Sequence, residues 1–464
     1  MRVSKDVPVA TPPPSPPAGG GGKEGFAAAR ERFRAGVESP RDYLERCLRR
    51  IDEREPEVRA LVALNVEGAR RAADASGERY RAGKPLSSID GMPIAIKDII
   101  ETEDMPTEFG SPIYKGWRGG RDAACVFALR QAGAVIVGKA VTTEFAGAPP
   151  GPTRNPLDLT RTPGGSSSGS AAAVAAGMVP VALGTQVGGS VLRPASFCGI
   201  VGFKPTFGAL NRGNLSDNYS QNCIGTLSET LEDGWAVCHE ISRIVGGDPG
   251  FSPFAGGATP AAMRRPDVLA VLETGGWPIA EEGAKAALQT FLGRLSDAGV
   301  ALVDRKSSHR VAALEQAIAD ALEICNRIAA WEGLWPFAEL ATRAADGMSE
   351  GLRNRMVQAR AMTPDEYRML LRRRDDMREA LLALAGDING CITLAAPGVA
   401  PVGIASTGNA IFNLPATALR TPALSLPMLR VDGLPVGVQV IGFPGRDRDL
   451  SGLAMFVLGL RQSS

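Results

Sequence analysis

Two stretches of this 464-residue chain put serines on glycine turns, the residue types that acyl-transfer chemistry uses: TPGGSSSGSAAAVAAG at 162–177 and GTQVGGS at 184–190. The first contains a G-x-S-x-G match, Gly165-Ser166-Ser167-Ser168-Gly169, which would nominate Ser167 as nucleophile. Such an elbow needs a strand immediately before the serine. The preceding TRNPLDLTRTPG carries two prolines and turn residues, which a central strand does not tolerate. Taken alone, the stretch also fits a loop whose serines cap the following helix. No G-K-[ST] follows it, which excludes a phosphate loop. In the second stretch, glycines let the backbone turn sharply and aim successive N–H groups at one point, as an oxyanion hole requires.

A serine nucleophile needs a base, usually histidine. Only His239 and His309 occur, so the nine lysines become the natural candidates. Lys97 lies inside the apolar run PIAIKDII, where burial would disfavour the ammonium form and leave a neutral amine. Pairing of Lys97 with Asp98 or another carboxylate is an equally good reading. Lys139 and Lys204 have similarly apolar neighbours, so composition does not choose among the three.

The elements that must hold these residues alternate. Helical patterns fill EGFAAARERFRAGVES and SPRDYLERCLRRIDE, the second opening with Ser39 as N-cap and Pro40 as first helical residue, and the helical face is expected to continue through 56–83. GMPIAIKDII, VIVG and VPVALGT then read as strands between helices such as AAAVAAG. Residues 308–385 are nearly all helical, with Thr363 and Pro364 opening one helix. CITLAAPG reads as a last strand before a glycine- and proline-punctuated end. This alternation predicts an α/β fold: one large domain over 24–464, a central mixed β-sheet surrounded by helices, behind a flexible Pro/Gly-rich tail at 1–23.

Composition narrows the function classes. Lys+Arg number 51 against 50 Asp+Glu, and no basic stripe is present, which argues against nucleic acid as a partner. No run reaches the roughly 18 apolar residues of a membrane span. The N-terminus lacks the apolar core of a secretory signal. Seven scattered cysteines without a C-x-x-C pair suit a reduced, cytoplasmic protein and no zinc site.

Four blocks, GMPIAIKD, AGAVIVGKAVTTEFA, RTPGGSSSGSAAAVAAG and LGTQVGGSVLRPASFCGIVGFKPTFG, together resemble the amidase signature family of Ser-cisSer-Lys hydrolases. The resemblance spans about 27–240 and resumes from CITLAAPG through GLPVGVQVIG. It implies Ser190 as nucleophile, Ser166 as a bridging serine after a cis peptide, and Lys97 as base, with Lys139 and Lys204 structural. It further implies an oxyanion hole from the N–H groups of Val187, Gly188, Gly189 and Ser190, and neither metal nor cofactor.

Two positions depart from the common pattern. Gln186 stands where many members carry Asp, and is read here with the substrate-binding residues. The SVLRPA arrangement, with Leu192 then Arg193 after the nucleophile, is similar to the malonamidase branch, where an arginine at that offset grips a substrate carboxylate. The alternative is that Arg193 anchors a loop carboxylate.

The expected substrate is a small amide, with carbamates (urethanes) or anilides as further expectations, acted on by a monomer or homodimer. The rival reading is the A subunit of a glutamyl-tRNA amidotransferase. Trp331, Trp335, Phe337, Met348 and Met362 would suit an aryl leaving group if they lined a cleft, but such side chains more often form core.

Overall fold

In the computed structural model, which describes residues 25–147, 149–213 and 220–460, one eleven-stranded sheet runs through the molecule. Its strands are β1 (Leu61–Leu64), β2 (Pro93–Lys97), β3 (Val135–Ala140), β4 (Val181–Gln186), β5 (Val201–Lys204), β6 (Cys223–Ser228), β7 (Val268–Val271), β8 (Ala301–Val303), β9 (Gly390–Leu394), β10 (Ala423–Val431) and β11 (Leu434–Ile441). They lie in the order β1-β3-β2-β4-β6-β5-β10-β11-β9-β7-β8. Strand β2 runs parallel to both β3 and β4, whereas β4–β6, β6–β5, β5–β10 and β10–β11 pair antiparallel, so the sheet is mixed as the alternation predicts. The expected tail at 1–23 lies outside the described residues.

Every residue of β2, β3, β4, β5, β6 and β9 is buried, because helices cover both faces of the sheet there. That is why these strands read as continuous apolar runs, and why a lysine inside them is conspicuous. Only the edge strand β1 alternates, half-buried against exposed.

Helix starts follow their caps. Ser39 and Asp42 form a reciprocal capping box before Pro40–Val58, and Thr363 and Glu366 do the same before Pro364–Leu382. Two expectations fail. Residues 56–83 are not one helical face: Arg59 turns left-handed at φ 54, Leu61–Leu64 pairs with β3, and Asn65 then caps the helix Val66–Arg81. CITLAAPG, which is β9, is not the last strand either. The two longest strands follow it, joined by Asp432-Gly433 at φ 50 and 78. An Asp-Gly pair is the turn chemistry of a tight hairpin, and a register shift between Leu426 and Leu429 accommodates Pro427.

All seven cysteines are free and buried. Among the described residues no helix is long and apolar enough to cross a membrane.

Candidate active site

The parallel arrangement of β2 beside β4 decides where the candidate residues meet. Register places Ile96 opposite Leu183, so Lys97 and Thr185 leave the sheet at the same carboxyl-terminal edge. In open α/β sheets this edge is where ligand crevices form. Lys97 is fully buried there, and its Nζ donates to Ser166 Oγ at 2.7 Å and to Thr185 Oγ1 at 2.9 Å.

Ser166 arrives from the other direction, on the loop between β3 and the helix Ser168–Ala175. The Gly165–Ser166 peptide is cis. The Ser166 carbonyl accepts the Thr143 N–H at 3.3 Å, and the next residue, Ser167, donates its N–H to the Ser190 carbonyl at 3.3 Å. These bonds hold the two serine loops side by side. Gly169 has to be glycine, since a Cβ would lie 2.1 Å from the Ala60 carbonyl oxygen and 2.3 Å from the Val141 nitrogen.

The neighbouring serines do not cap the helix through their side chains. Ser167 Oγ donates to the Thr185 carbonyl, Ser168 Oγ to the Val141 carbonyl and Ser170 Oγ to the Leu183 carbonyl, so they pin the loop and helix to β3 and β4. Ser167, fully buried and engaged with the backbone of Thr185, is not placed as the G-x-S-x-G match would have it.

Ser190 sits on the loop after β4, 8% exposed, its hydroxyl without a protein hydrogen bond among the described residues. The loop is fastened from behind. Gln186 Oε1 accepts the N–H groups of Val191 and Leu192 at 3.0 and 3.1 Å, while its Nε2 donates to Thr417 Oγ1 at 3.2 Å. Thr417 Oγ1 in turn donates to the Gly188 carbonyl at 2.8 Å. A Cβ on Gly189 would meet Asn413 Oδ1 at 2.5 Å, which fixes glycine there. With its carbonyls and flanks so held, the loop leaves the N–H groups of Val187, Gly188, Gly189 and Ser190 without acceptors among the described residues.

Gln186 is therefore turned away from the substrate role expected of it. It is fully buried, and both ends of its amide are engaged in bracing the loop. An amide accepts two N–H groups and donates to a hydroxyl at once, a combination that an ionised aspartate lacks. Thr185 and Thr417, by contrast, were not expected at the site.

The other lysines have different partners. Lys139 Nζ lies 3.1 Å from Asp98 Oδ1 and donates to Thr107 Oγ1 and the Pro106 carbonyl. Lys204 donates to the Pro205 carbonyl. Burial pushes the Asp98 carboxyl up to about 6, against the pull of Lys139. Because this is above the ordinary 3.8, the folded protein holds that proton more tightly than the unfolded chain, and the contribution of Asp98 to stability falls as pH rises through that window. Asp98→Asn is expected to cost about 3–5 kcal/mol in urea unfolding at neutral pH, since it leaves Lys139 buried without its carboxylate. Adding Lys139→Met should recover most of the loss. A single-variant loss below about 1 kcal/mol would contradict the pairing.

Arg193 projects from the helix Leu192–Cys198 beside the Ser166 loop, donating through Nη2 to the Gly165 carbonyl at 2.6 Å and to Thr407 Oγ1 at 3.1 Å. It is 6% exposed, its Nε is unpartnered, and no carboxylate pairs with it among the described residues. Burial pulls its pKa down to about 10. The loop-carboxylate alternative thus has no counterpart among those residues.

With this geometry in place, comparison with known proteins decides the family. The Amidase family model matches residues 42–450. The chain belongs to the amidase family. The A subunit of the glutamyl-tRNA(Gln) amidotransferase of Chloroflexus aggregans (strain MD-66 / DSM 9485) is 35% identical over 461 residues, covering 90% of this chain and 92% of the relative. The corresponding protein of Symbiobacterium thermophilum (strain DSM 24528 / JCM 14929 / IAM 14863 / T) is 34% identical, covering 91% and 93%. A crystal structure of an amidase superposes with TM-score 0.80 at 27% identity, covering 93% of this chain and 99% of the other. This amidase is thus an amidase-signature hydrolase of amides. Its fold is that of the family throughout the matched length.

The apolar residues of the helical segment are mostly core in this amidase. Phe337 and Met348 are buried in one cluster with Leu340, Leu352 and Met356, Met362 packs against another, and Trp331 stacks on Tyr367. Trp335 alone is widely exposed.

Proposed function

We propose that the chain hydrolyses small amides through an acyl-enzyme on Ser190. The observation that carries this reading is the 2.7 Å hydrogen bond from buried Lys97 to Ser166, on a loop tied by backbone to that of Ser190. Lys97 in its amine form takes a proton through Ser166 as Ser190 Oγ bonds to the substrate carbonyl carbon. The carbonyl oxygen gains charge and is met by the unengaged N–H groups of residues 187–190. Ser166 then returns the proton to the departing amine as the C–N bond breaks. Water repeats the sequence in reverse, releasing the acid and restoring the Ser190 hydroxyl.

Arg193 favours an amide that carries a carboxylate on its acyl side. A buried guanidinium with an unpartnered Nε, three residues after the nucleophile and bonded to the Ser166 loop, suits a carboxylate better than a neutral group. Carbamates and anilides belong to the same chemistry, but the packing of Phe337, Met348 and Met362 into core gives them no special support. The second reading, the A subunit of a glutamyl-tRNA amidotransferase, is favoured by the names of the curated relatives.

One panel separates these readings: malonamate, neutral aliphatic amides, anilides and aryl carbamates offered to the purified chain alone, with Arg193→Leu alongside. Turnover of an amide by the chain alone is expected. For malonamate, Arg193→Leu should lower kcat/KM about 10–100-fold, the loss of one charged hydrogen-bonded contact. Neutral amides should lose less. Equal losses across the panel would remove the carboxylate assignment. Activity that emerges only with added partner subunits would favour the second reading.

A further inference from the structure

Away from the serines, three arginines converge near Ser220. Arg374, on the helix Pro364–Leu382, is 3% exposed and donates through Nη1 to Ser220 Oγ at 2.8 Å. Arg420 donates through Nη2 to the Ser220 carbonyl at 2.9 Å and lies over the Phe207 ring, 4.5 Å from its centroid. Arg378 follows one turn after Arg374, a third exposed. The Nε of each of the three is buried and has no hydrogen-bond partner.

Neither Arg374 nor Arg420 forms an ion pair among the described residues. The nearby carboxylate of Glu332 is already engaged by the Ser220 N–H at 2.6 Å and the Tyr367 hydroxyl at 2.8 Å. Asp375 pairs with Arg378 at the surface. Burial, and then repulsion from Arg374 and Arg378, pull the pKa of Arg420 down to about 10. Arg420 also holds its backbone in the left-handed region, φ 55, its carbonyl accepting the Phe207 N–H. Gathering guanidinium groups in a largely buried cluster, where the nearby carboxylate of Glu332 is already engaged by other donors, is costly. Guanidinium forks with unused N–H groups are the match for a group presenting two or more anionic oxygens.

We propose that Arg374 and Arg420, with Ser220 between them and the more exposed Arg378 one helical turn beyond Arg374, form a binding site for a small oxyanion group, a carboxylate or a phosphate. The site is coupled to the nucleophile loop. Arg420 follows by three residues Thr417, whose hydroxyl holds the Gly188 carbonyl. An anion that orders Arg420 therefore bears on the loop that supplies the oxyanion N–H groups.

The test uses the full chain and a binding readout that does not require turnover. Thermal unfolding is followed with potassium phosphate, then potassium malonate, each against potassium chloride at equal ionic strength. A saturable rise in Tm beyond chloride is expected with at least one of them. Arg420→Gln, at a half-buried position that tolerates change better than Arg374, should raise the midpoint concentration about tenfold or more. Arg420→Lys should restore part of the affinity. Absence of a saturable rise over chloride, or the same midpoint in Arg420→Gln as in the unsubstituted chain, overturns the site. Inhibition of neutral-amide hydrolysis separates the sources of the anion. Competitive inhibition that is weakened in Arg420→Gln but kept in Arg193→Leu assigns the site to an acidic end of the substrate, and noncompetitive inhibition weakened in Arg420→Gln assigns it to a separate ion.

Discussion

Ser190→Ala is expected to reduce amide turnover by about 10⁴-fold or more, since removing the nucleophile of a serine hydrolase leaves only binding and oxyanion stabilisation. The folded state should be nearly unaffected. The Ser190 hydroxyl makes no protein hydrogen bond among the described residues, and its carbonyl bond to the Ser167 N–H survives the substitution. Ser167→Ala should lower activity far less, because its hydroxyl reaches only the backbone of Thr185. Steady-state kinetics on one amide, with circular dichroism to confirm folding, compares the two. A Ser190→Ala variant retaining more than about one hundredth of the activity would contradict the assignment.

Lys97→Ala should lower amide kcat/KM by about 10²–10⁴-fold, the range for a positioned acid–base group. Esters should suffer at least about tenfold less, because an alkoxide leaves with less need of a returned proton. The removed side chain is fully buried and bonded to Ser166 and Thr185, so Lys97→Met, which fills more of the space, serves as the folding control. Paired amide and ester substrates with the same acyl group isolate the effect. Equal losses on both would contradict a relay that protonates the leaving amine.

Much of this site was legible because its pieces lie in short, ungapped blocks. Lys97 in an apolar run and Ser190 on a glycine turn are residue types that their sequence surroundings do not otherwise explain. The resemblance then distinguished Lys97 from Lys139 and Lys204, which composition alone left equal. Thr417 was not legible: it braces Gly188 from more than two hundred residues away, and only the tertiary fold brings it there. Thr185 was closer to hand, one residue before Gln186 at the end of β4, but a threonine at a strand end is ordinary. Gln186 was misread because a polar residue beside a nucleophile suggests a substrate contact, whereas its amide faces the protein on both sides.

The fold shows the same division. Buried strands announced themselves as apolar runs, and helices as capped periodic segments. Strand β1 was hidden by four residues between two helices. Strands β10 and β11 were hidden by Pro427 and Pro435, which a register shift and a strand start absorb without breaking the pairing.

The central claim is that the first serine loop relays a proton and the second carries the nucleophile. Peptide mapping by mass spectrometry after treatment with a fluorophosphonate tests it most directly. A single adduct on Ser190, absent from Ser190→Ala, is the expected result. An adduct on Ser166 or Ser167, or labelling that persists in Ser190→Ala, would contradict it.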